Sequence, residues 1–289
     1  MASVARVASG GGGVQPGSAP GPGEAVRPQL LRERWARMEG HPGVLGFYGH
    51  SRGEYRCFSN FFDQSSSPFD FQVPPSFLAG LGRQRHSVLE VVPCAFSEKA
   101  IMLCKAAVMG DAEVYMQIAC ASNPGQTKAL GRKVRGFSPQ LWDDVVCSVA
   151  FEVVFQKFSK TPSLQRTLLH TGDMLIAEAT ANDANWGIGI NTGDPRVQTP
   201  AAWEGSNFLG WALMETRTAL RRGKQVPQGK GQETRTALWH SKQVPQDKGQ
   251  EVIDLDKFPS LPTAAAADGK AVVAAPARGS KSRWKSRAE

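Results

Sequence analysis

No apolar run in this 289-residue sequence is long enough to cross a bilayer as a helix, so no membrane role is expected. The five cysteines (Cys57, Cys94, Cys104, Cys120, Cys147) contain no Cys-x-x-Cys pair and are odd in number. That argues against a disulfide scaffold and for reduced, buried thiols in an intracellular, most simply cytoplasmic, protein. His and Cys lack the spacing of metal ligands, so neither a metal nor another cofactor is expected. Large apolar side chains are almost missing from residues 1–27, and aromatics are few in 223–289. Such ends bury too little surface to offset the entropy of ordering them. Residues 1–43 are therefore expected to be a mostly disordered extension and 223–289 a disordered basic tail. Residues 44–222 remain as one domain of ordinary size, and a fragment spanning 40–222 is expected to fold and work alone.

Charge is also missing from the middle. Residues 1–214 hold 19 Lys+Arg against 18 Asp+Glu, whereas 215–289 hold 15 against 8, so most of the net +8 sits in the tail. A nearly neutral core suits a small substrate. A basic tail offers contact with nucleic-acid phosphates, or a nuclear address. The tail also carries a tandem duplication: Glu215–Gln232 reads ETRTALRRGKQVPQGKGQ and Glu233–Gln250 reads ETRTALWHSKQVPQDKGQ.

Within the core, Val44–Tyr48 and Met174–Thr180 read as strands. Ser97–Met109, Asp111–Cys120 and Pro124–Val134 read as helices, the first stopped by Gly110. Ser138-Pro139 and Thr161-Pro162 each place a capping residue before a proline at the first helical position. They open a long helix to about Lys157 and another closed by Gly172. Ser206–Arg222 is the last helix. Residues 63–96, with four prolines and the basic run Arg83–His86, read as a long loop or a β-hairpin excursion. The expected fold class is a helix-rich α+β single domain with a few short strands.

Four clusters carry candidate chemistry. Glu98 and Lys105 lie two turns apart on a helix apolar on nearly all sides, so they share a buried face. Either they form a buried salt bridge or their pKa values are shifted for catalysis. The stretch from Glu178 to Gly189 offers carboxylates at Glu178 and Asp183, the flat face of Trp186, and Gly187 and Gly189 for close backbone approach. Carboxylates near an oxocarbenium-like carbon suit cleavage of a glycosidic bond. The third cluster is Arg56–Phe62. The fourth is Trp203–Gly210, where Ser206 or Asn207 caps a helix whose N-terminus is also an anion site. Gly131-Arg132-Lys133 adds a basic pair.

In order, Phe58-Ser59-Asn60-Phe61; Glu98 and Lys105; Leu130-Gly131-Arg132; Lys157-Phe158; Leu168-Leu169-His170-Thr171-Gly172-Asp173; Glu178-Ala179; Asp183-Ala-Asn-Trp186-Gly187-Ile188-Gly189; and Gly205-Ser-Asn207-Phe-Leu209-Gly210 form a set. That ordered set resembles the NADAR family, which includes the YbiA-like N-glycosidases. The resemblance implies hydrolysis of a ribose–N bond, with Glu98, Lys105 and Asp183 catalytic. It implies Phe58, Ser59, Asn60, Arg132, Glu178, Trp186, Gly187 and Asn207 at the substrate, and Glu178 in support of its loop. Two substrate classes go with the resemblance. One is the phosphoribosylamino pyrimidines of riboflavin synthesis, small phosphorylated nucleoside-like compounds. The other is ADP-ribosyl guanine in nucleic acid or nucleotides. A catalytically silent ADP-ribose-binding module is a third reading. The sequence departs from the pattern in a longer 63–96 segment and in Lys99, where the family commonly has His.

Overall fold

A computed structural model describes residues 26–225; the tail and the second repeat copy lie outside them. The chain enters on α1 (Pro28–Ala36), a helix the sequence reading missed. Leu31 and Trp35, one turn apart, form its buried face, each 1% exposed. The indole of Trp35 donates to the Ser206 carbonyl at 2.8 Å, and Arg32 Nε donates to the Ser206 hydroxyl at 2.9 Å. The folded unit therefore begins before residue 44. A fragment starting at 40 lacks the helix that holds the lead-in to the last helix. Trp35→Ala is expected to lower stability by about 3–5 kcal/mol, the usual result of emptying a buried indole site, read by thermal or denaturant unfolding.

The strand β1 (Val44–Phe47) pairs in parallel with β4 (Leu175–Glu178), in a register that sets Val44 against Leu175 and Phe47 against Glu178. The 63–96 segment is the expected hairpin excursion. β2 (Phe69–Gln72) runs antiparallel to β3 (Val91–Cys94), and the tip between them is α2 (Pro75–Leu78) followed by 3-10 turns broken at Gly82, φ 55°.

The remaining helices follow the sequence punctuation closely. They are α3 (Ser97–Val108), α4 (Ala112–Cys120), α5 (Pro124–Gly131), α6 (Pro139–Lys160), α7 (Pro162–His170) and α8 (Phe208–Gln225). The side chains of Asp111, Asn123 and Ser138 cap α4, α5 and α6. Among the described residues no helix is long and apolar enough to cross a membrane.

Two apolar clusters form the interior. One gathers β1, β4, α1 and α8 around Trp35, Phe58, Ile176 and Leu209. The other gathers the hairpin, α3 and α4 around Phe71, Leu103 and Tyr115. The long helix α6 serves both, giving Ala150 and Val154 to the first and Val149 and Val153 to the second. Trp186 packs against both. The seam between the clusters is where carboxylates from distant parts of the chain meet.

Candidate active site

Glu98 stands in the first turn of α3, 6% exposed, with its backbone N–H bound to the Asn60 carbonyl at 3.0 Å. Glu178 ends β4, and Asp183 opens the loop that follows. All three carboxyls interact electrostatically. Burial pushes the Glu98 pKa up to about 7, with Asp183 adding to the rise and Lys128, Arg132 and Lys105 opposing it. Burial likewise lifts Glu178 to about 7, helped by Asp183 and Glu98 and opposed by Lys128. Neither glutamate makes a side-chain ion pair within 4 Å among the described residues. Two carboxyls that exchange protons near neutrality, beside a third carboxylate, can give a proton to a leaving ring and take one from water. Glu178, expected at the substrate and in support of its loop rather than as a catalytic group, is thus as strongly perturbed as Glu98.

Asp183 Oδ1 accepts the N–H groups of Asn185 (2.9 Å) and Trp186 (2.8 Å), which fixes its rotamer and the start of the loop. Trp186 is half-buried and sits edge-on to Phe208, with centroids 5.9 Å apart at 77°. Gly187 has no room for a side chain: a Cβ there would lie 2.7 Å from the Glu178 carbonyl and 2.9 Å from that of Asp183. The close approach expected at Gly187 is therefore made to the protein's own backbone. Gly189, at φ 72°, needs glycine's freedom.

The loop then docks on the start of α8. Carbonyls of Gly187, Asn185 and Trp186 accept the N–H groups of Asn207 (3.0 Å), Phe208 (3.1 Å) and Leu209 (3.2 Å). That counts against the expected anion site at this N-terminus, because these three N–H groups are already taken by the loop. Asn207 is corrected too. Fully buried at φ 53°, it neither caps α8 with its side chain nor faces substrate. Its Nδ2 donates to the Ile176 carbonyl (2.9 Å) and its Oδ1 accepts from the Glu178 N–H (3.2 Å), so it clamps the strand end that carries Glu178.

Phe58, expected at the substrate, is a core residue, 1% exposed. Its ring lies 5.5 Å from Phe47, 5.3 Å from Tyr55 and 5.9 Å from Phe158. The Ser59 hydroxyl accepts the Phe61 N–H at 3.2 Å and so closes a turn. Asn60 is different: its backbone holds Glu98, while its buried side-chain Oδ1 has no hydrogen-bond partner among the described residues.

The loop bearing these residues is pinned by Lys157, which sequence reasoning treated only as part of a Lys-Phe match. Its ammonium donates to the carbonyls of Cys57 (2.7 Å) and Ser59 (3.2 Å), and full burial lowers its pKa to about 7. The signal was available, since Lys157 follows Val153 and Val154 by four and three residues on an apolar helix face.

Lys105 does not ion-pair with Glu98. Its Nζ donates to the Gly131 carbonyl at 2.9 Å and lies 4.2 Å from the Phe137 ring centroid, so the shared face yields coupling through space and no salt bridge. Burial lowers its pKa, and Glu98 works against that shift. Arg132 is exposed at the end of α5. Lys128, one turn earlier and absent from the sequence reading, is the charge that acts most strongly on Glu98. Its spacing from Arg132 was the clue.

The NADAR domain model matches residues 46–221, which covers this whole constellation. The chain belongs to the NADAR domain family. An N-glycosidase, R617, of Acanthamoeba polyphaga mimivirus is 38% identical over 122 residues, 42% of this chain and 71% of the relative. Protein irg-1 of Caenorhabditis elegans is 32% identical over 167 residues, 56% of this chain and 74% of the relative. The Arabidopsis thaliana riboflavin biosynthesis protein PYRR, chloroplastic, is 31% identical over 106 residues, 35% of this chain and 16% of that protein. Two bacterial relatives are also named N-glycosidases, and this NADAR chain is an enzyme of that class.

Proposed function

We propose that the protein hydrolyses the ribose–N bond of a small phosphorylated nucleoside-like substrate, a phosphoribosylamino pyrimidine of the riboflavin route. The observation that carries this reading is the pair Glu98 and Glu178, both held near neutral pKa beside Asp183 at the seam. In this mechanism the C1–N bond breaks and the electron pair leaves with the amine of the ring. The pair's proton goes to that amine, and the ionised partner takes a proton from the water that adds to C1. Asp183, with Oδ1 engaged by backbone N–H groups, offers its other oxygen to the positive charge developing on the sugar. Trp186 supplies a face for the ring or a flank for the ribose. The relatives named as riboflavin biosynthesis proteins support the substrate class.

Incubation with a ribosylaminopyrimidine 5′-phosphate and, separately, with an ADP-ribosyl guanine nucleotide tests the reading, with the released base followed by mass spectrometry. Release from the first alone supports it. Release from the second alone transfers the chemistry to ADP-ribosyl guanine, the polymer-directed alternative. Binding without release from either makes the protein an ADP-ribose-binding module.

Lys105 acts here by charge, steadying the ionised form of Glu98. Lys105→Ala is expected to lower kcat at least about 100-fold with the fold intact. Borohydride added during turnover is expected to leave Lys105 unmodified. A sugar-mass adduct on Lys105 would show instead that its amine attacks C1 and carries the opened sugar as a Schiff base.

A further inference from the structure

We propose that Lys128 and Arg132 form a clamp for a phosphate ester on the 5′ carbon of the substrate's ribose, and so set the enzyme's preference for phosphorylated substrates. The inference rests on the N-glycosidase reading above and names the group that recognises its substrate. Lys128 lies on α5 and Arg132 is the residue that ends it. Arg132 keeps right-handed helical angles, φ −76° and ψ −19°, so the four-residue spacing puts both on one helix face. Both charges are felt by the Glu98 carboxyl, yet among the described residues neither has a carboxylate within 4 Å.

The other cations of this region are already engaged. Lys105 is bound to the Gly131 carbonyl and the Phe137 ring. Arg135 holds the buried Asp111 at 2.6 Å and Glu113 at 3.0 Å. Lys133, one residue past Arg132, lies beyond the end of α5 and is not among the charges that act on Glu98. Lys128 and Arg132 are thus the pair without an acidic partner on the face toward Glu98.

Lys128 Nζ lies 5.5 Å from the ring centroid of Phe61, whose neighbour Asn60 holds the Glu98 N–H through its backbone carbonyl, so the cation stands beside the loop that meets the start of α3. A carboxyl for the anomeric end and two cations on one face of α5 match a ribose whose 5′ end bears phosphate. An exposed guanidinium gives the planar fork that phosphate oxygens favour, and the half-buried ammonium adds a point charge. A 5′-monophosphate and the diphosphate of an ADP-ribosyl group share this chemistry.

The test compares kcat/KM for a ribosylaminopyrimidine 5′-phosphate, its dephosphorylated counterpart and an ADP-ribosyl guanine nucleotide. The proteins are wild type, Lys128→Gln, Arg132→Gln and Arg132→Lys. Using the ratio of phosphorylated to dephosphorylated substrate cancels any effect that passes through Glu98. The wild-type ratio is expected to exceed about 100, and each Gln variant to lower it about 10-fold or more, chiefly through KM, with Arg132→Lys retaining part of it. The phosphorylated substrate that loses most identifies the source of the phosphate. Calorimetry with ribose 5-phosphate and ribose runs alongside and needs no turnover. If wild type binds the two equally, or if the Gln variants keep the wild-type ratio, the clamp is overturned while hydrolysis stands. Tight ribose 5-phosphate binding, lost in both Gln variants of a protein that cleaves none of the three substrates, keeps the clamp and overturns the hydrolase reading.

Discussion

Glu98→Gln is expected to lower kcat by about 10²–10⁴, the usual effect of removing a general acid or base, while the protein stays folded. The amide keeps the shape of the side chain and relieves the burial that holds its carboxyl near pKa 7. Stability and activity should therefore part company. Because the folded pKa of Glu98 is above the ordinary 4.5, the folded protein binds the extra proton. The stabilisation linked to that proton is complete below about pH 4.5 and is lost as pH rises through 7, where Glu178 follows the same course. Glu98→Gln should flatten part of that decline in unfolding free energy. It should also convert a bell-shaped kcat profile centred near neutrality into one with a single limb, since the two apparent values belong to the pair. A variant with wild-type kcat and an unaltered profile would mean that the buried carboxyl does no chemistry.

Asn207→Ala is expected to cost about 3–7 kcal/mol and to lower kcat at least about 10-fold. Every contribution has the same sign. The Ile176 carbonyl and the Glu178 N–H each lose a partner in the interior, at about 1–3 kcal/mol apiece. Alanine also tolerates the φ of 53° less well than asparagine does, at about 1 kcal/mol. Asn207→Gly separates the two causes, because it removes the backbone strain and leaves both groups unpaired. If thermal unfolding shows Asn207→Ala within 1 kcal/mol of wild type, the clamp on β4 is not what positions Glu178.

Much of this molecule could be read from local sequence. Ser138-Pro139 announces α6 because a hydroxyl acceptor and a fixed φ act within one turn. Gly172, at φ 57°, closes α7 for a similarly local reason. The ordered motifs also brought Glu98, Asp183 and Trp186 to one region. Helix α1 was missed because its weight rests on two side chains, Leu31 and Trp35, whose partners lie near residue 206. Phe58 and Asn207 were assigned to substrate because a motif records which residues stand together and not what each one touches. Only the rings around Phe58 and the two hydrogen bonds of Asn207 separate support from contact. Lys157 reads as an ordinary basic residue until the Cys57 and Ser59 carbonyls are seen to meet it.

The parallel pairing of β1 with β4 sets the order in which the enzyme can assemble. Hairpin β2–β3 and the neighbouring helices α3, α4 and α5 close short segments, whereas Phe47 meets Glu178 only after almost the whole domain has been synthesised. Closing so large a loop is entropically slow, and its reward arrives late. Glu178 occupies the last rung of that late ladder. On the mechanism proposed above, a nascent or partly opened chain that holds the Glu98 half-site still lacks its carboxyl partner, and it is expected to show no glycosidase chemistry until the final strand is laid down.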